Sequence, residues 1–149
     1  MTLALRLDLL ALARRCAADL TQTPRFDPIQ RWYARLAVTD DHEVWLLTWL
    51  PGQGTDLHDH GGSAGAFTVV AGEVEEHIVG IDGSLTRAGY HATEGHAFGP
   101  HHVHRIVNTS NRPAVTVHAY GPALRTMTRY RLDAKELIAE DVTQAGADW

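Results

Sequence analysis

The segment Gly52-Gln53-Gly54-Thr55-Asp56-Leu57-His58-Asp59-His60-Gly61-Gly62 sets a glycine-rich turn directly ahead of two histidines separated by one residue. Side chains on a β-strand alternate between faces, so His58 and His60 point one way and Leu57 and Asp59 the other. Two imidazoles on one face can share a metal ion, because histidine is the commonest protein metal ligand. By the same parity Asp59 is not expected to reach that ion. A second segment, Gly95 to Pro122, answers the first with His96, His101, His102, His104 and His118. Parity groups His102 and His104 with Ile106 and Asn108. On the next strand it groups Thr116, His118 and Tyr120, with Val115, Val117 and Ala119 on the opposite face. An isolated pair of this kind is weak, but a pair after a glycine turn that is matched by a second histidine strand points to a metal site.

The chain around these segments reads as β-structure. From about Arg31 to Leu132 it is a series of short runs rich in Val, Thr, Ile, Trp and Tyr, the residues that suit a pleated, half-buried surface. Pro51-Gly52, Gly61-Gly62, Gly72, Asp82-Gly83, Gly99-Pro100 and Asn111 to Pro113 separate them. Many short strands at regular spacing predict an all-β sandwich, jelly roll or barrel. Ahead of them Leu5, Leu9, Leu12, Cys16 and Leu20 recur at helical spacing, predicting an amphipathic helix over residues 3–20. Asp133–Glu140 reads as a short helix followed by a loose polar tail to Trp149. The expected organisation is one domain over 1–149, with an N-terminal helical segment (1–30), a β-barrel (31–132) and a C-terminal tail (133–149).

Composition narrows the function classes. The 149 residues carry a formal net charge of -5 and ten histidines but one cysteine. A mildly acidic chain is poorly suited to nucleic acid, whose phosphates call for Lys and Arg. Arg6, Asp8, Arg14 and Arg15 interrupt the apolar N-terminus, so neither an export signal nor a membrane span is expected. The lone Cys16 rules out a disulfide framework and reads as a small core residue on the helix face. A soluble, cytoplasmic protein is expected, with its oligomeric state open.

The two histidine segments resemble the two cupin motifs. Gly52, His58, His60, Gly65 and Gly72 fall at positions of the first, and His104 and Asn108 at the end of the second. The motif's glutamate ligand is replaced by Gly65, or by Ala64 at the shorter spacing. The resemblance implies a cupin double-stranded β-helix, a jelly-roll-like barrel, with a metal in its mouth. The stretch from the Pro51-Gly52-Gln53-Gly54 turn through His58-Asp59-His60, together with the run from Val103 to Pro122, is further similar to the bacterial thiol dioxygenases of the cysteine dioxygenase family. That likeness covers about Arg31 to Met127.

The likeness implies that His58, His60 and His104 hold ferrous iron and that the second-segment triplet Thr116, His118 and Tyr120 lies behind them. Tyr120 would orient substrate or oxygen and His118 would orient Tyr120. Arg35, in Tyr33-Ala34-Arg35-Leu36, matches the arginine that grips the substrate carboxylate, although Leu36 stands where the family has asparagine. Gly65 also stands where many animal members carry a cysteine linked to the tyrosine, so Tyr120 is expected to be an unmodified phenol. The activity so implied is oxidation of L-cysteine by O2 to cysteine sulfinic acid, with a small-molecule thiol and O2 as the partners. Three alternatives stand beside it: 3-mercaptopropionate or another small thiol as substrate, a non-catalytic cupin that binds metal or ligand, and a zinc hydrolase. The last needs a general base near the metal, and no carboxylate is placed for that.

Overall fold

The computed structural model describes residues 7–144. Among these residues one helix, α1 (Leu9–Ala18), is followed by eleven strands: β1 (Tyr33–Val38), β2 (Glu43–Trp49), β3 (Leu57–His58), β4 (Ala64–Ala71), β5 (Glu73–Val79), β6 (Leu85–His91), β7 (Gly95–Phe98), β8 (His104–Val107), β9 (Ala114–Gly121), β10 (Thr126–Asp133) and β11 (Glu136–Gln144). They form two antiparallel sheets. One runs β1-β2-β9-β4-β7, the other β11-β10-β3-β8-β5-β6. The all-β expectation with an N-terminal helix therefore holds, in the two-sheet arrangement of a double-stranded β-helix.

The five-stranded sheet is buried on both faces. Its inner face contributes Trp45, Leu47, Trp49, Phe67, Val69 and Tyr120 to the core between the sheets. Its outer face, with Val44, Leu46, Val115, Val117 and Ala119, packs under Leu9, Leu12, Ala13, Cys16 and Leu20. This explains why every residue of β2 is buried instead of alternating. The split of β9 follows the expected parity, with Thr116, His118 and Tyr120 inside and the small aliphatic residues outside. Cys16 sits half-buried in the helix contact. The helix begins at Asp8, whose side chain accepts from the Ala11 N–H at 3.0 Å. The predicted start at residue 3, and with it Leu5, lies outside the described residues. At the other end the helix stops short of Leu20.

The C-terminal expectation is corrected. Asp133–Glu140 is no helix: Asp133 closes β10 and pairs with Glu136, the first residue of β11. The two residues between them, Ala134 and Lys135, have φ of 47° and 67°. Two positive φ values in a two-residue loop match the strand twist of a hairpin. Ala-Lys carries none of the Asn-Gly signature that usually announces such a turn, so the sequence hid it. Cross-strand charge pairing supports the hairpin, with Arg129 Nη2 at 2.6 Å from Asp141. No helix among the described residues is long and apolar enough to cross a membrane.

Candidate metal centre

The short strand β3 lies between β10 and β8, and His58 pairs directly with His104 across the β3–β8 ladder. His60 follows two residues later and enters the same interior. All three imidazoles are buried. Their ring centroids stand 4.9 Å apart in each pair, and each offers one nitrogen within 4.8 Å of the others.

For His58 and His104, hydrogen bonding fixes which nitrogens those are. His58 Nδ1 donates to the Asp56 carbonyl at 2.8 Å, and His104 Nδ1 donates to Glu76 Oε2 at 2.5 Å. A neutral imidazole that donates from Nδ1 carries a bare lone pair on Nε2. Both lone pairs are thus free for a common ion. His60 Nε2 lies 3.2 Å from His104 Nε2, close to the roughly 3.4 Å expected between ligands about 2.1 Å from a shared tetrahedral ion. Burial, with neighbouring His104, pushes the His58 imidazole down to about 3. Burial likewise lowers His60 and His104. Imidazoles held neutral are what a metal requires. The donor set therefore fits a divalent metal. The His60 ring is held by packing, stacked on Phe98 at 4.9 Å and tilted against Tyr120 at 5.2 Å. Asp59 points outward as predicted. It accepts from Thr128 N–H at 3.0 Å and from the Tyr130 hydroxyl at 2.7 Å.

Gly65 pairs with both Tyr120 and Phe98 in the sheet. A Cβ there would fall 2.6 Å from the Phe98 ring and 2.9 Å from Tyr120. No carboxylate from this position can join the histidines.

On β9 the inner residues form a hydrogen-bonded chain. Trp49 Nε1, a donor only, donates to Thr116 Oγ1 at 2.8 Å. Thr116 Oγ1 lies 2.8 Å from His118 Nε2, and Tyr120 Oη lies 3.4 Å from His118 Nδ1. Both ring nitrogens of His118 thus have a hydroxyl partner, which holds the imidazole between Thr116 and Tyr120. Burial lowers His118 to about 3 and raises the Tyr120 phenol, so both stay neutral near pH 7.

Arg35 is exposed, its guanidinium lies 5.8 Å over Trp45, and it borders a cleft with Glu43, Ser63 and Leu124. Arg31 instead shares a cavity of about 90 Å3 with His58, Thr55 and Met127. Its guanidinium lies 5.3 Å over Trp49, and its Nη1 is buried without a hydrogen-bond partner among the described residues. Burial lowers Arg31 to about 10, against the pull of Asp56. Sequence spacing alone does not choose between them, since Arg31 precedes Arg35 by an even number of residues.

Glu76, fully buried, was also missed. Beside His104 it accepts from His102 Nε2 at 3.0 Å, His96 Nδ1 at 2.7 Å and the Tyr90 hydroxyl at 3.4 Å. Burial alone would raise this carboxyl, but the hydrogen bonds from His102, His104 and His96 hold it well below the usual carboxylate range. His102, grouped with His104 by parity, is part of this network and stacks on Phe98 at 4.4 Å. An acidic residue on the same strand parity as Val74 and Ile78 was the overlooked signal.

Two antiparallel sheets around buried histidines define a cupin. Structural neighbours agree on the fold. A Thermus thermophilus protein, TT1209, superposes with a TM-score of 0.60 at 21% identity, covering 67% of this chain and 90% of its own. A Klebsiella pneumoniae protein described as having a double-stranded β-helix domain gives 0.57 at 19% identity, covering 84% and 94%. An oxalate oxidase in complex with glycolate gives 0.60 at 20% identity, covering 69% and 57%. The family described as cysteine dioxygenase type I matches residues 9–133, and the chain belongs to that family.

Proposed function

We propose that the protein is a non-haem iron thiol dioxygenase that oxidises L-cysteine with O2 to cysteine sulfinic acid. Family membership supports the dioxygenase chemistry, and the neutral imidazoles of His58, His60 and His104 support a divalent metal. Bound there, ferrous iron would supply the redox chemistry that joins O2 to sulfur. Every other part of the work falls to the chain. Three neutral ligands and a glycine at position 65 leave the full positive charge of the ion uncompensated within its ligand set, which favours an anionic thiolate. Arg31, rather than the exposed Arg35, grips the substrate carboxylate through charge-assisted hydrogen bonds. Tyr120, held by His118, orients the substrate or oxygen from β9.

The observation that carries this reading is the buried Arg31 Nη1, without a partner among the described residues in the cavity it shares with His58. A buried guanidinium N–H without a hydrogen-bond acceptor is costly, and an anion placed there removes that cost. One specific observation keeps 3-mercaptopropionate as the second substrate reading. Among the described residues the only acid lining this cavity, Asp56, is largely exposed and lies 3.7 Å from Arg129, so no carboxylate is committed to a substrate ammonium.

The test is an O2-uptake assay with anaerobically iron-loaded protein on L-cysteine, 3-mercaptopropionate and cysteamine. Uptake with sulfinate formation from L-cysteine supports the proposal. Faster turnover of 3-mercaptopropionate moves the substrate to the second reading. Tight iron binding without turnover of any thiol leaves a non-catalytic cupin.

A further inference from the structure

The missing cupin glutamate leaves the three-histidine site without a carboxylate among its own donors. Glu76, on β5, nevertheless places one directly behind it, 2.5 Å from Nδ1 of His104. On the reading that His58, His60 and His104 hold the metal, we propose that Glu76 is the positioning residue of the site. It fixes the tautomer and orientation of His104 and supplies, through that imidazole, the negative charge absent at Gly65.

The geometry separates this role from a second metal site. Glu76, His102 and His104 also lie close enough to be considered as ligands in their own right. Their contacts, however, are 2.5 and 3.0 Å long. These are hydrogen-bond lengths, shorter than the roughly 3.4 Å between donors spread around a tetrahedral ion. The carboxylate is already saturated. Oε2 accepts from His104 and His102, and Oε1 accepts from His96 and Tyr90. A fully buried acceptor with its sites filled by protons is a fixed anion, not an open ligand.

The consequence for His104 is directional. Glu76 has no proton to give, so His104 Nδ1 must be the protonated nitrogen and Nε2 the bare one. Carboxylate behind a ligating histidine raises the basicity of the ligand and aims its ring. Glutamine at this position would offer an amide N–H as well as a carbonyl. Turned the wrong way, it drives the His104 proton onto Nε2, where a metal cannot bind.

Two measurements test the role without recourse to turnover. The first is 15N NMR of histidine-labelled, metal-free wild-type protein. His104 is expected as the Nδ1–H tautomer at neutral pH, and the Nε2–H tautomer would overturn the proposal. The second is metal binding by apo-protein, with Co(II) absorption and Zn(II) competition against a chelator. Glu76→Gln is expected to weaken affinity by about 10–100-fold and to alter the Co(II) visible spectrum. His91→Gln, an exposed histidine outside this network that pairs with Glu73, is expected to stay within about threefold of wild type. Folded Glu76→Gln with unchanged affinity and spectrum overturns the proposal. So does a second zinc per wild-type chain that disappears in Glu76→Gln. Wild-type protein that binds neither metal instead removes the metal reading on which the role rests.

Discussion

Phe98 occupies the space that any side chain at position 65 would need: the Cβ that Gly65 lacks would sit 2.6 Å from its ring. The ring is itself braced, stacked on His60 and His102 at 4.9 and 4.4 Å. Gly65→Ala is therefore expected to destabilise the fold by about 1–3 kcal/mol, the usual cost of overpacking a close-packed interior. Urea unfolding measures it, and Phe98→Leu in the same background should recover part of the loss. Gly65→Glu should fail to create a fourth metal ligand.

The arginines give a contrast between two residues of equal parity. Arg31→Gln should raise the KM for a carboxylate-bearing thiol by about 10–100-fold, the worth of charge-assisted hydrogen bonds of about 1.5–3 kcal/mol. Cysteamine, which has no carboxylate, should be indifferent to the change. Arg35→Gln should leave both thiols within about threefold of wild type, as exposed charges contribute little. Equal effects of the two substitutions would return the grip to Arg35.

The chain from Trp49 to Tyr120 predicts separable effects. Thr116→Val strands the Trp49 N–H and leaves His118 Nε2 without its hydroxyl partner, at a cost of about 1–3 kcal/mol for buried groups left unpaired. Thermal or urea unfolding reads this. Tyr120→Phe keeps the ring against His60 but takes the hydroxyl partner from buried His118 Nδ1 at 3.4 Å; stability should fall by about 1 kcal/mol, while turnover falls by about 100-fold, the scale of one lost polar contact to a reacting group.

How much of this was legible in the sequence divides along physical lines. Strand parity placed His58 with His60 and Thr116 with His118 and Tyr120, because alternation is a local property that tertiary packing does not change. Parity also turned Asp59 outward. The Ala134-Lys135 turn was not legible, since its positive φ values come from closing the hairpin and not from residues that favour them. Nor was the choice between Arg31 and Arg35. Both have the right parity, and only the cavity beside His58 distinguishes them. Glu76 shows the same limit in another form. An inward acid is readable from alternation, but its donors come from β6, β7, the loop before β8 and β8 itself, contacts that only the fold assembles.

Metal should stabilise the fold measurably. An ion present at about 100 times its Kd adds about 2.7 kcal/mol, which for a chain of this size raises Tm by about 5–10 °C. Differential scanning with and without chelator checks it. His104→Ala should abolish the metal-dependent shift, since two histidines remain where three converge.

Asp59 joins the ligand pair to the outer wall of the barrel. Its backbone N–H bonds to the Thr128 carbonyl at 3.0 Å, and its carboxylate takes the Thr128 amide and the Tyr130 hydroxyl. The residue between His58 and His60 is thus stitched to β10, which in turn carries β11. If the histidines hold an ion, opening of the C-terminal hairpin would loosen the segment that carries two of its ligands. Amide exchange in β11, which touches no histidine of the site, would then slow on metal loading along with β10, which pairs with His58.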